Sequence, residues 1–242
     1  MIRKPVVPRS TRLSVREVAD ANDPQLSEAY ALLARTFHSS ERVSLADWKA
    51  TLEEKAGGVW TDLAWHLLIA VRGRKVVGLA TGTYFGSLNV GMVGYLAIDA
   101  GMRSGGLGSR LRQRLRRAFE RDAHRLAGVP LAAILGEVSA ENPWLRALAR
   151  RPAVLVLNFP YFQPRLRPSD DPSPFYLYHE AITGPRRPYL AASELRRILY
   201  AIWRRGYRIA RPLERPAFRL MMRALATRRR IGPVPFPIPA AR

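Results

Sequence analysis

Residues 95–109 read Tyr95-Leu-Ala-Ile-Asp-Ala-Gly-Met-Arg-Ser-Gly-Gly-Leu-Gly-Ser109. The aromatic, β-branched and apolar residues from Val93 to Ile98 predict a largely buried strand. The glycines that follow allow a tight turn and a close approach of the backbone to a ligand. The apolar spacing from Leu107 to Leu126 predicts a helix, whose free N–H groups and positive dipole end would face the turn. This arrangement predicts an anion site suited to a phosphate.

Two familiar phosphate-binding motifs do not describe this turn. The Walker pattern needs a Gly-Lys-Ser/Thr ending, and Leu107-Gly108-Ser109 has no lysine. The dinucleotide pattern G-x-G-x-x-G fits Gly101 to Gly108 in no register. The loop alone also leaves open a tight turn that simply precedes a surface helix.

The motif that does fit is Arg103-x-x-Gly106-x-Gly108 after Leu96-x-Ile98-Asp99. It resembles the pyrophosphate loop of the GNAT superfamily of acyl-coenzyme A N-acyltransferases, which reads Arg/Gln-x-x-Gly-x-Gly/Ala after an apolar strand. The resemblance implies acetyl-coenzyme A or another acyl-coenzyme A as co-substrate, and no metal. It implies that the pyrophosphate is bound by Arg103, Ser104, Gly105, Gly106, Leu107, Gly108 and Ser109. It implies that the pantetheine arm is bound by backbone groups of Leu96, Ala97 and Ile98.

A second stretch shows the same resemblance. Residues 131–138 are apolar on both faces, as in a central strand covered by helices. Asn142 then stands where GNAT proteins commonly have an asparagine that opens a short helix, and it joins the predicted coenzyme site by that resemblance. Pro143 suits the first turn of such a helix.

The patterns together predict an α/β fold of the α+β type. The expected order is an edge strand, two helices, three antiparallel strands, the glycine turn with its helix, a central strand, a short helix and two late strands. The resulting GNAT-like sheet is mixed, mostly antiparallel and flanked by helices. The predicted segments are an N-terminal tail (1–11), an acyltransferase domain (12–184), a basic amphipathic helical extension (185–230) and a Pro-rich tail (231–242).

The composition adds a strong and uneven positive charge. The net charge is +21, and residues 1–102 hold only 12 Lys+Arg and 10 Asp+Glu of the totals of 40 and 19, so the remainder carries 28 − 9 = +19. There is no cysteine, which excludes disulfides and thiolate sites, and the four histidines lack metal-ligand spacing. No signal-peptide core or membrane-spanning run is present, so we expect a soluble, cytoplasmic protein.

The extension leaves several partners open. Residues 193–230 contain 12 arginines and two acidic residues around two apolar stripes, one from Leu195 to Ile209 and one from Phe218 to Leu225. Such basic amphipathic helices dock on their own domain, on a second copy in a homodimer, or on an anionic surface such as a membrane or nucleic acid.

The catalytic groups are predicted less directly. Glu137, near the end of the central strand, is the candidate base, and Glu141 is the competing carboxylate. The GNAT resemblance implies a tyrosine that protonates the leaving thiolate, but its position is occupied by Ala149. Tyr161 and Tyr95 are the candidate replacements.

These observations predict an N-acyltransferase, most simply an N-acetyltransferase, whose amine acceptor attacks the acyl donor directly in a ternary complex. The acceptor is a small-molecule or protein amine. Because the usual tyrosine is missing, the alternative is a catalytically weak GNAT-like scaffold that acts through its basic helices on a protein, a membrane surface or nucleic acid.

Overall fold

The structure, a computed structural model, describes residues 12–166, 171–184 and 187–235. The predicted N-terminal tail (1–11) and residues 236–242 of the Pro-rich tail lie outside these ranges. The described strands are β1 (Leu13–Glu17), β2 (Leu63–Arg72), β3 (Lys75–Phe85), β4 (Val90–Ile98), β5 (Ala133–Val138), β6 (Val154–Val156), β7 (Tyr161–Gln163), β8 (Ser173–Ala181), β9 (Leu190–Ala191) and β10 (Arg230–Ile231). The described α-helices are α1 (Leu26–Thr36), α2 (Leu45–Ala56), α3 (Leu107–Asp122), α4 (Trp144–Ala149), α5 (Ala192–Ala201) and α6 (Pro216–Ala226).

The main sheet has eight strands in the order β1-β2-β3-β4-β5-β8-β6, and β7 also pairs with β8. Every neighbouring pair is antiparallel except β4 and β5, which are parallel. A parallel pair needs a long crossover, and α3 provides it. The predicted mixed, mostly antiparallel sheet flanked by helices is therefore confirmed.

The parallel pair separates halfway along β4. The two strands pair only from Val90 to Val93, and beyond that point β4 pairs with β3 alone. A β-bulge marks the separation, because Gly94 and Tyr95 together oppose Thr81, whose hydroxyl accepts the Tyr95 N–H at 2.9 Å. The backbone from Gly94 to Ile98 thus pairs with no described strand on its β5 side, and a cleft separates the two strands there.

Helix α3 covers one face of the sheet. Its buried residues Leu107, Leu111, Leu115 and Phe119 recur every four positions, which places them on one side of the helix. A Cβ at Gly91 would overlap the Phe119 ring, so the glycine allows α3 to lie close to the sheet. This close packing fixes the first turn of α3 beside the open end of β4.

Two pairs of helices share the opposite face. Helices α1 and α2 cover β2 and β3 at one end, where Trp48 packs with Leu67 and Ile69. Helices α5 and α6 of the extension cover the other end, where Trp203 and Phe218 belong to the same buried cluster as strand residues from β3 to β8. The apolar stripes of the extension are therefore buried within the same chain.

The start of the Pro-rich tail is also tied to the domain. Ile231 is buried and pairs with Leu190, and the Val234 N–H donates to Val156 O at 2.9 Å. In the described ranges no helix has both the length and the apolarity needed to cross a membrane.

A charge cluster with a buried centre, His66 and Asp122, fastens α3 to the sheet. His66 on β2 contacts Asp122 on α3 through Nε2 at 2.6 Å and Glu17 on β1 through Nδ1 at 2.8 Å. Lys55 Nζ contacts the same Glu17 carboxylate at 2.6 Å, and Arg125 contacts Asp122 at 2.7 Å. Both ring nitrogens face carboxylates, so the imidazolium form satisfies the cluster best.

Candidate active site

The glycine turn is held by contacts at its start. Asp99 Oδ1 accepts the Gly101 N–H at 3.1 Å, and Lys75 Nζ lies 3.1 Å from Asp99 Oδ2. Ser104 and Gly106 have φ angles of 67° and 73°, which lie in the left-handed region. This backbone path turns the chain into α3 with Gly106 as the residue before its first turn.

The first turn of α3 has free donors. Among the residues described, no acceptor is found for the backbone N–H groups of Gly106, Leu107 and Gly108, and the first closed bond runs from Arg110 N–H to Gly106 O at 3.0 Å. A Cβ at Gly106 would have nothing within 4 Å, so the space in front of the turn is open. The exposed Arg103 has no described side-chain partner. These features fit a pyrophosphate.

The three predicted pantetheine-binding residues line the open part of β4. Ala97 is fully buried among the α1 and α2 contacts, whereas Leu96 and Ile98 pack towards α3. Their side chains are therefore held on the two faces of the sheet, and the backbone edge between the faces is left for an extended ligand arm.

Asn142 occupies a helix start, as predicted. Its Oδ1 accepts the Trp144 N–H at 3.0 Å, and its backbone oxygen accepts the Leu145 N–H at 2.9 Å. The side-chain nitrogen has no described partner. A role in coenzyme binding stays a prediction.

The structure places Glu137 and Tyr161 together and adds two further residues. Tyr161 donates a hydrogen bond to Glu137 Oε1, and Tyr207 donates one to Glu137 Oε2. Gln163 Nε2 lies 2.7 Å from the same Oε2 and 2.8 Å from the Tyr207 hydroxyl. Glu137 follows Leu135 on the face covered by the extension, just past the point where β5 leaves β4. We call Glu137, Tyr161, Gln163 and Tyr207 the carboxylate cluster.

Burial sets the protonation behaviour of this cluster. Loss of hydration raises the pKa of Glu137, although the hydrogen bonds from Tyr161, Tyr207 and Gln163 act in the opposite direction. The pKa values of Tyr161 and Tyr207 are raised well above the ordinary value, first by burial and then by the nearby Glu137 charge. A carboxyl with a raised pKa beside a cleft is suited to take up and release a proton.

The other predicted candidates lie elsewhere. The Tyr95 hydroxyl is engaged with Val43 N–H at 3.1 Å and with Glu41 O at 3.0 Å, so it joins the β4 bulge to the segment before α2. Glu141 is exposed and accepts a hydrogen bond from Ser139. Ala149 packs at the end of α4.

A cavity of about 520 Å³ lies on the Glu137 side of the sheet. Its lining includes Gly94 and Tyr95 at the cleft, and Gln163 and Tyr207 from the carboxylate cluster. Its far wall contains tryptophans from α2 and β2 and three arginines from the extension, namely Trp48, Trp65, Arg204, Arg205 and Arg208. Arg205 is paired with Asp62 at 2.5 Å, and Arg208 with Glu54 at 2.8 Å. The described residues contain no group of three or more His, Asp or Glu side chains arranged to hold a metal ion.

Gln163 and Tyr207 are the cluster residues that the sequence did not predict, and Tyr207 is the more distant of the two from Glu137 in the chain. It follows a π-helical turn at the end of α5, about seventy positions after Glu137 in the chain. The apolar stripe around it predicts a docked helix, but no local motif predicts which strand that helix meets.

We expect Tyr207→Phe to move the acidic limb of the pH–rate profile upwards by about one pH unit. The substitution removes one hydrogen bond to the charged carboxylate, and such bonds are worth about 1.5–3 kcal/mol in buried settings. Tyr200→Phe, an exposed tyrosine on α5, is the matched control and should leave the limb in place. An unchanged limb in Tyr207→Phe would show that the hydroxyl does not tune Glu137.

Comparisons with known proteins agree with this geometry. A family model described as the acetyltransferase (GNAT) family matches residues 28–136, which run from α1 to β5. No curated protein matches the chain.

Two solved structures share the fold. A Bacteroides thetaiotaomicron protein named for the GNAT acetyltransferase family has 19% identity and a TM-score of 0.58, covering 81% of this chain and 99% of its own. A Staphylococcus epidermidis protein named as an acetyltransferase has 9% identity and a TM-score of 0.52, covering 71% of this chain and all of its own (100%). Residues 28–136 therefore match the model of the GNAT acetyltransferase family, and the chain has the GNAT fold.

Proposed function

We propose that the protein transfers an acyl group, most simply acetyl, from acyl-coenzyme A to a small-molecule amine by direct attack in a ternary complex. One observation carries the proposal. Two residues of the carboxylate cluster, Gln163 and Tyr207, and two residues at the start of the open edge of β4, Gly94 and Tyr95, line one cavity. The free donors at the start of α3 follow β4 in the chain.

The donor half of the site rests on fixed backbone groups. The N–H groups of the first turn of α3 would bind the pyrophosphate, assisted by the side chain of Arg103. The unpaired edge of β4 from Leu96 to Ile98 would hold the pantetheine arm as an added strand does. One N–H of this edge would polarise the acyl carbonyl, and such a fixed donor is worth about 3–4 kcal/mol.

When bound, the acyl-coenzyme A supplies a thioester, whose carbonyl carbon is attacked by the amine and whose thiolate departs. Glu137 would take the proton of the attacking amine, directly or through one water molecule. Tyr207 borders the cavity and shares the Glu137 carboxylate, so it would orient that carboxylate and offer a phenol proton near the leaving thiolate. Tyr161 is 1% exposed and would act through Glu137 alone.

The cavity favours a small acceptor. Its volume of about 520 Å³ lies inside the rough range of 300–1,000 Å³ that is common for small-molecule sites. Its walls combine aromatic rings with polar and charged side chains. The scaffold alternative rested on Ala149, and the phenols of Tyr161 and Tyr207 at Glu137 remove that reason for it.

Isothermal titration with acetyl-coenzyme A tests the donor half. We expect the wild type to bind and Gly106→Val to bind at least about tenfold more weakly, because a β-branched residue is strained at positive φ and its side chain would enter the phosphate space. Gly128→Val is the matched control. Gly128 also has positive φ and open space, but it lies after the far end of α3.

Equal affinities of Gly106→Val and Gly128→Val would contradict this placement of the pyrophosphate. Absence of wild-type binding at high micromolar ligand would contradict the proposed function itself.

A further inference from the structure

We propose that the outer surface of α5 and α6 docks on an anionic lipid bilayer. This interaction goes beyond the proposed acyl transfer and does not depend on it. The surface is a groove between the two helices, about 530 Å³ in volume, which we call the basic groove. Its basic residues are Arg196, Arg197, Arg204 and Arg205, and its apolar residues are Leu88, Tyr200, Ala201, Leu213, Phe218 and Met222.

The arginines form a stripe on α5. Arg196, Tyr200 and Arg204 are spaced four positions apart, so they project from the same side of the helix and its π-helical continuation. Arg196 donates to Leu225 O at 2.8 Å, and Arg205 is paired with Asp62. Arg197 and Arg204 are exposed and have no hydrogen bond, ion pair or ring contact to any described residue. Their charges are available to an external anion.

Acidic groups do not neutralise this surface. Residues 193–230 contain 12 arginines and two acidic residues, a net charge of +10. Both acidic residues are already engaged, since Glu194 pairs with Arg187 at 2.6 Å and Glu214 with Arg211 at 3.2 Å. Arg215, directly before α6, and Arg219 and Arg223 on α6 follow at four-residue spacing, are exposed and have no side-chain partner in the described ranges. The field of the extension is therefore positive over a wide area.

Exposed apolar side chains lie among these charges. Leu213 is 61% exposed and Tyr200 is 45% exposed, and both line the basic groove. A bilayer offers anionic headgroups to the arginines and an apolar boundary to Leu213, and tyrosine is favoured at that boundary. A nucleic acid backbone would bind the arginines equally well, but it would give no reason for the exposed leucine. The combination favours lipid.

Vesicle co-sedimentation of the full chain tests the proposal. We use phosphatidylcholine vesicles with and without phosphatidylglycerol, and a DNA duplex as the competing polyanion. We expect binding only to the phosphatidylglycerol vesicles, with a steep loss of affinity as salt is raised. Arg197→Glu with Arg219→Glu should weaken this binding at least about tenfold, and Leu213→Ser about fivefold.

Matched controls test whether vesicle binding depends on this surface or only on the net charge and the exposed apolar area of the protein. Arg117→Glu with Arg121→Glu changes two exposed arginines on α3, and Val129→Ser changes an apolar residue that is 42% exposed in another part of the molecule. Both controls should bind vesicles within about twofold of the wild type. Circular dichroism melting of every variant verifies that it is folded.

Three results would overturn the proposal. The first is equal binding to vesicles with and without phosphatidylglycerol, or to neither. The second is an equal loss in the control variants. The third is DNA binding at least as tight as vesicle binding and unaffected by Leu213→Ser, which would assign the surface to nucleic acid.

Discussion

Replacing Glu137 by glutamine is expected to lower kcat roughly 100- to 10,000-fold, the usual contribution of a general acid–base group. Glutamine keeps the shape of the side chain and can still accept a hydrogen bond from one of the two tyrosines through its single amide oxygen, but it cannot take a proton from the amine. Binding of acetyl-coenzyme A should be unchanged, because Glu137 does not belong to the glycine turn.

The measurement is release of free coenzyme A with the best acceptor from a panel of primary amines. The control is Glu141→Gln, which changes a nearby exposed carboxylate and should leave kcat within about twofold. Glu137→Gln activity within tenfold of the wild type would exclude Glu137 as the base.

The pH dependence of the rate tests the role of Glu137 independently of the loss in kcat. Burial raises the pKa of Glu137 above its ordinary value of 4.5, and the base must be ionised to act. The wild-type rate should therefore rise with pH through a midpoint above 4.5. This limb should disappear in Glu137→Gln, and a limb that persists there belongs to another group.

Replacing His66 by leucine is expected to lower the free energy of unfolding by about 1–3 kcal/mol near pH 6, because Asp122 and Glu17 each lose a charged hydrogen-bond partner and keep only Arg125 and Lys55, respectively. His66 and Asp122 have side chains only 7% and 8% exposed, so water cannot take over the lost contacts. Urea unfolding at 25 °C measures the change. His124→Leu, at an exposed position after α3, is the control and should cost less than about 1 kcal/mol.

The contribution of His66 to the free energy of unfolding is expected to decrease as the pH rises. Burial lowers the pKa of His66, but the hydrogen bonds to Asp122 and Glu17 outweigh burial and raise it above its ordinary value of 6.5. The stabilisation is therefore complete below pH 6.5 and is lost as the pH rises through the raised value.

Glu17 behaves in the opposite way. Burial raises its pKa, but hydrogen bonds from His66 and Lys55 lower it to about 2, so its contribution is complete above 4.5 and is lost towards pH 2. The difference between wild type and His66→Leu should thus be largest between about pH 4.5 and 6.5 and shrink at higher pH. A difference that stays constant up to pH 9 would show that lost packing, rather than charge, is responsible.

The sequence predicted the parts of the fold that depend on local pattern. The turn from Arg103 to Ser109 could be predicted because its glycines allow a tight turn. The apolar run before it and the helical spacing after it each specify a local backbone conformation. The apolar and aromatic residues from Ala153 to Pro164 predict a single strand, and this prediction is wrong. The structure divides it into β6 and β7, because Asn158 donates its N–H to Gly232 at 3.0 Å and Pro160 has no N–H for a ladder.

The carboxylate cluster shows the limit of local pattern. Glu137 and Tyr161 could be predicted as candidates because Glu137 lies near the end of β5 and Tyr161 begins β7. Tyr207 could not be predicted, because its position depends on how α5 packs across the sheet. An apolar stripe shows that a helix packs against the domain, but it does not show which strand residues the helix contacts. The acceptor cavity is built from α2, β2 to β4 and the extension, so it too depends on long-range packing.

Backbone hydrogen–deuterium exchange with and without coenzyme A tests most directly whether the open edge of β4 and the first turn of α3 bind the coenzyme. We predict that coenzyme A slows exchange in residues 94–98 and 104–109, and that Gly106→Val reduces this protection while Gly128→Val does not. Protection confined to other segments, or none at saturating coenzyme A, would contradict the account.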